Sequence, residues 1–112
     1  MLSKFSCRNY RSIGTDPISL DMVASTRIQM HADHIRTPLR NTHLLRNTAI
    51  YGANAAGKST VLRALNFMKM AVSQGALPPN TTRDYCRAGE GLDDEESVFE
   101  TQFVTDGRAY DY

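Results

Sequence analysis

Apolar positions first alternate with polar ones, then recur at helical spacing, then alternate again, an order that predicts strands gathered around one helix. Residues 2–10 mix apolar and polar side chains over one strand length. Gly14, Asp16 and Pro17 mark a turn. Ile18, Leu20 and Met22 then alternate with Ser19, Asp21 and Val23, so residues 1–24 read as an antiparallel β hairpin. From 25 to 47 the pattern fades into a polar stretch with all three histidines and four arginines against one acid, Asp33. This reads as a basic loop or irregular insert. Thr48-Ala49-Ile50-Tyr51 is a short continuous apolar run ending at a glycine, the pattern of a buried central strand. Val61, Leu65, Met68 and Val72 recur at i, i+4, i+7 and i+11, with Leu62 widening the stripe, which predicts an amphipathic helix over 58–73. Gly75 supplies its stop, with Pro78 and Pro79 beyond, so strand, loop and helix occupy 48–75. Residues 76–96 are rich in Pro, Asn and acids and read as a surface connection longer than usual. A last hairpin over 97–112 has a strand at 98–104, a two-residue Asp106-Gly107 turn, and a return over 108–112 expected beside the first strand. No internal repeat is visible.

Composition bounds this picture. A chain of 112 residues with 41% hydrophobic residues and no Trp supports one modest globular core. Such a core is marginal unless something covers its open faces. The net charge of +1 hides a split: residues 1–72 carry ten basic and three acidic side chains, residues 73–112 three basic and nine acidic. The basic half suits a phosphate-bearing partner, and the acidic stretch suits a solvated loop. Cys7 and Cys86 lie far apart without metal-ligand spacing, so they read as free thiols of a reducing cytosol. Charged residues interrupt the apolar positions near the N-terminus, and no apolar run reaches spanning length. The expectation is a cytoplasmic protein without a membrane partner.

The chemistry concentrates in Gly52-Ala53-Asn54-Ala55-Ala56-Gly57-Lys58-Ser59-Thr60, which satisfies G-x-x-x-x-G-K-[ST] between the apolar run and the helix. Glycines let the backbone curl so that successive N–H groups point inward. The helix N-terminus adds positive partial charge, making a cradle for nucleotide phosphates. Lys58 supplies a point charge for the β- and γ-phosphates, and Ser59 offers a hydroxyl to Mg²⁺. Hydrolysis needs more, namely a second Mg²⁺-holding acid at a strand end and a group that orients water. Neither is evident. Asp94-Glu95 lies in an acidic cluster without the apolar strand that would bury and aim it. His31-Ala32-Asp33-His34 reads as a surface histidine pair, because no further ligand-type residue stands at a matching offset.

The form G-x-N-x-x-G-K-S-T resembles the phosphate loop of ABC-type ATPase heads. Phe5-Ser6-Cys7-Arg8-Asn9-Tyr10-Arg11-Ser12-Ile13 resembles the opening strand of RecF, structural-maintenance-of-chromosomes and OLD-like ATPases. Closer still is the AAA-family ATPase group often encoded in bacterial defence and abortive-infection loci. It is matched by Asp21-Met22-Val23-Ala24-Ser25, by residues 44–54 and 65–69, by Phe99-Glu100, and by the Asp106-Gly107 hairpin ending in Tyr110 and Tyr112. The loop departs from the common ABC form at Ala53, often Pro, and Ala55, often Gly.

The resemblance implies an α/β P-loop fold, the N-terminal part of an ABC-type ATPase head. It implies ATP and Mg²⁺ as cofactors, with the later signature, Walker B and switch motifs in a C-terminal half. It would place Arg11 near the phosphates, with Tyr10 or Ser12 beside it. A glutamine bridging Mg²⁺ and water belongs to a whole head, but Gln102 is set by its alternation with Phe103 only on a strand face. Such heads sandwich ATP in a homodimer or higher oligomer, and turnover drives dimer opening or controls an effector nuclease or toxin, often in DNA-related work. Read alone, the chain binds nucleotide, and hydrolysis belongs to the completed protein. Two other readings stay open: a nucleic-acid-binding module using Arg27, Arg36, Arg40 and Arg46, which lacks stacking aromatics, and a small P-loop kinase or GTPase, which lacks a base-specificity motif and an arginine lid.

Overall fold

The computed structural model describes residues 1–25, 27, 30–77 and 79–112, so Pro78 and part of the basic insert lie outside the described residues. Its elements in chain order are β1 (Leu2–Arg8), β2 (Ile18–Asp21), a 3-10 turn (Ala32–His34), β3 (Ile35–Leu39), β4 (Thr42–Leu45), α1 (Lys58–Gln74), β5 (Val98–Thr105) and β6 (Arg108–Asp111). They form two compact units. One holds Met1–Phe5, Ser19–Ile50 and Glu100–Tyr112, the other Ser6–Ile18 and Tyr51–Phe99.

A four-stranded sheet, most of whose residues fall in the first unit, runs in the order β2-β1-β5-β6. Met1 and Val104 exchange backbone hydrogen bonds in both directions, which makes β1 and β5 antiparallel. The last hairpin forms as its turn residues require, with Asp106 at φ 49 and Gly107 at φ 70, both positive as a type I′ turn demands. Thr105 pairs with Arg108 and Gln102 with Asp111. β6 therefore lies outside β5, and it is β5, not the returning strand, that lies beside β1. Phe5, Met22, Ala24, Leu44 and Val104 are buried.

The insert expected to be irregular contains a second sheet, the β3-β4 hairpin, in the same unit. Ile35, Thr37 and Leu39 alternate along β3, and Asn41 takes a positive φ of 65 in the turn. Pro38 obscures the strand because it removes a ladder N–H. The chain absorbs this by a register shift between Arg36 and Leu39. Leu44, fully buried, carries the hairpin into the core.

The expected central strand at 48–51 is a correction in the other direction. All four residues are exposed and irregular, with Tyr51 90% accessible. A buried strand of this type needs neighbours at its edges, and among the described residues the strands pair with one another.

The second unit is built on α1, which spans the expected helix and ends at Gly75, whose left-handed φ of 67 and N–H to the Val72 carbonyl close it. Thr60, Val61, Ala64 and Met68 form its buried face. Leu62 does not widen that stripe, since it is 60% exposed. Phe67 joins Tyr10 and Phe99 in an aromatic cluster with ring centroids 5.1 to 6.0 Å apart. No helix is long and apolar enough to cross a membrane among the described residues.

Candidate functional site

The glycine loop leads directly into α1, as its spacing requires. Gly57 takes φ 87 at the helix cap, a conformation that penalises any Cβ, and a Cβ there would stand 3.5 Å from the Ser12 hydroxyl. The cap makes no side-chain hydrogen bond, and no acidic residue occupies the first turn. The Thr60 and Val61 N–H groups bond the Gly57 carbonyl, and the positive end of α1 meets no carboxylate from its own first turn. Lys58, the first helical residue, folds back so that its Nζ donates to the carbonyls of Gly52 at 2.7 Å and Ala53 at 2.6 Å. The loop closes on its own ammonium. Asn54, Ala55 and Ala56 form the exposed crest, where Ala55 also takes a positive φ. Ser59 is exposed, while Thr60 is buried and accepts a 2.9 Å hydrogen bond from Ser12. This donor-rich, acid-free set fits a polyphosphate with its cation.

Of the three residues following Asn9, Ser12 is the one bonded to the helix start. Arg11 is paired with Asp84: its backbone N–H donates to the Asp84 carbonyl, and its Nε lies 2.8 Å from the Asp84 carboxylate. Its guanidinium stands over the Tyr10 ring, 5.6 Å from the centroid. Tyr10 and Arg11 also line an open cleft of about 410 Å³ beside Leu62, Arg63 and Asn66 of α1.

Sequence reasoning missed the residue that organises this region. Asn9 is fully buried with φ 48. Its Nδ2 donates to the carbonyls of Leu92 at 2.7 Å and Glu95 at 2.8 Å, and its Oδ1 accepts from the Cys86 N–H at 3.0 Å. Its own carbonyl accepts from Ser97 Oγ at 2.5 Å. The acidic connection is accordingly pinned where it was expected to be a surface loop. Cys86 and Leu92 are buried within it, and Arg83 donates to the carbonyls of Leu92, Asp93 and Glu95. The carboxylates of residues 93–96 remain exposed, as expected. The available signal was the Asn9-Tyr10-Arg11-Ser12 run itself, whose asparagine serves the fold. Cys7 and Cys86 are free and buried, and burial pushes the Cys7 thiol up to about 11.

The family model described as "AAA domain, putative AbiEii toxin, Type IV TA system" matches residues 48–112, more than half of the chain. The chain belongs to this AAA family. The match takes in the whole glycine loop, α1 and the β5-β6 hairpin. An AAA domain is a P-loop NTPase fold, and its members use a nucleotide, usually with Mg²⁺. The α/β architecture described above agrees with that at the level of fold class. No curated protein and no solved structure matches the chain.

Proposed function

We propose that this AAA chain binds Mg·ATP through residues 52–60 as the nucleotide-holding part of an ABC-type ATPase head. The observation that carries the reading is Lys58, whose ammonium is bent onto the Gly52 and Ala53 carbonyls at an uncapped helix start. In our reading a bound phosphate would replace those carbonyls as the partner of the ammonium. Gly52 and Gly57 let the backbone approach the phosphates. Ser59 would be the protein ligand to Mg²⁺, which screens the charge that accumulates on the β- and γ-phosphates. Ser12, bonded to Thr60, fixes the first turn of α1 against the segment after β1. Arg11, which pairs with Asp84, would stand near the phosphates in this reading. The family's description ties it to a type IV toxin–antitoxin system. In our reading, ATP held between two such heads controls an effector, and hydrolysis requires residues from a further part of the protein.

The test is titration of the chain with a fluorescent ATP analogue, with and without Mg²⁺. Lys58→Ala should weaken binding by at least about tenfold, equivalent to about 1.4 kcal/mol. Equal affinity in the variant would remove the loop from the function.

A further inference from the structure

The stretch carrying two of the three histidines folds into a turn that its composition does not announce. His31 adopts a left-handed backbone (φ 61, ψ 47), and Ala32–His34 form one 3-10 turn, closed by the His34 N–H on the His31 carbonyl at 2.9 Å. His31 caps the turn, and its ring stands beside that of His34 with centroids 5.5 Å apart. Asp33 aims its carboxylate at the same place, with Oδ2 3.3 Å from His34 Nε2. One ligand atom from each of the three residues lies within 4.8 Å of the other two.

The turn is anchored from outside. The Arg46 N–H donates to the His34 carbonyl at 2.8 Å, and the Arg46 guanidinium donates to the Asp33 carbonyl at 3.2 Å. Arg46 thus grips the backbone and leaves the Asp33 carboxylate to the histidines. Left-handed backbone at a non-glycine residue costs free energy, and such positions gather at ligand clamps.

We propose that His31, Asp33 and His34 form a binding site for a borderline divalent cation of the Zn²⁺ type, with water in the remaining positions. Ligands about 2.1 Å from a tetrahedral metal stand about 3.4 Å from one another. The His34–Asp33 pair already has that spacing. His31 completes the set by side-chain rotation, which its exposure leaves free. Two imidazoles and one carboxylate suit Zn²⁺, Ni²⁺ or Cu²⁺, whereas Mg²⁺ prefers oxygen ligands alone. The site is independent of the nucleotide reading and would not compete for the cation that ATP brings. It lies at the start of the β3-β4 hairpin, where a bound ion would lock the turn.

The experiment is calorimetric titration of the nucleotide-free chain with Zn²⁺, paired with the absorption spectrum of the Co²⁺ form. One ion per chain should bind, and the Co²⁺ spectrum should lack thiolate charge transfer. His31→Ala and His34→Ala should each weaken binding by about tenfold or more. His43→Ala should leave it unchanged, since His43 Nδ1 is engaged with Thr37 Oγ1 at 3.0 Å. Asp33→Asn, which keeps the side-chain shape, should also weaken binding and decides the matter if an alanine variant misfolds. Absence of saturable Zn²⁺ binding would overturn the proposal, as would unchanged affinity in Asp33→Asn and the His31→Ala/His34→Ala double variant.

Discussion

Replacing Asn9 by alanine takes the Oδ1 acceptor from the Cys86 N–H where Asn9 itself is fully buried, while the Leu92 and Glu95 carbonyls keep their bonds from Arg83. Leaving buried polar groups unpaired costs about 1–3 kcal/mol for each group. Asn9→Ala should therefore lower stability by about 1–3 kcal/mol, read as a fall in the urea midpoint. Asn9→Asp should do no better, because a carboxylate cannot donate to two carbonyls. Cys7 responds to pH instead. Its thiol is held neutral by burial, with a pKa raised from 9.0 to about 11. Between those values the unfolded chain binds fewer protons than the folded one, so stability falls as pH rises. The contribution is complete below about pH 9.0 and wanes toward 11. Urea melts at stepped alkaline pH should show this decline, and a Cys7→Ser variant should flatten it. Alkylation of Cys7 should be slow in the folded chain and fast in denaturant.

At the scale of elements, the start of α1 separates fold from function. Gly57 and Gly75 both take left-handed backbone, with φ 87 and φ 67, one at each end of the helix. Alanine at either position should destabilise the chain by about 1 kcal/mol. Only Gly57→Ala should also reduce ATP-analogue affinity, because only that position shapes the phosphate cradle. Equal losses of affinity in both variants would mean that the effect is one of stability alone. The helix and the last hairpin were legible because their signals are local: a 3.6-residue stripe ending at glycine, and an Asp-Gly pair able to take positive φ twice. The β3-β4 hairpin was hidden by Pro38 and by arginines on an exposed ribbon, although Ile35, Thr37 and Leu39 alternate. The apolar run at 48–51 misled because burial of such a run depends on neighbouring strands that no local pattern encodes. The phosphate loop was readable as a motif, whereas the Asn9 clamp and the Arg11–Asp84 pair depend on residues 73 to 86 positions away. Periodicity carries no information about partners at that distance.

For the whole molecule, binding and turnover make different demands. Binding needs the curled loop, the helix terminus, Lys58 and Ser59, all of which lie between 52 and 60. Turnover also needs a carboxylate aimed from a strand end toward Mg²⁺ and a group that orients water. Of the acids in the C-terminal third, residues 93–96 are exposed and Asp84 is engaged by Arg11, and none of these five stands at the end of a strand. Gln102, in β5, is exposed and paired across the ladder with Asp111. The 112-residue chain should accordingly bind Mg·ATP and release no phosphate above background, measured by a coupled phosphate assay over hours. Lys58→Ala should abolish the binding signal without altering that background. Turnover that disappears in Ser59→Ala would show that the hydrolytic groups lie within these residues after all, and Asp84 would then be the acid to replace first, since releasing Arg11 would free its carboxylate.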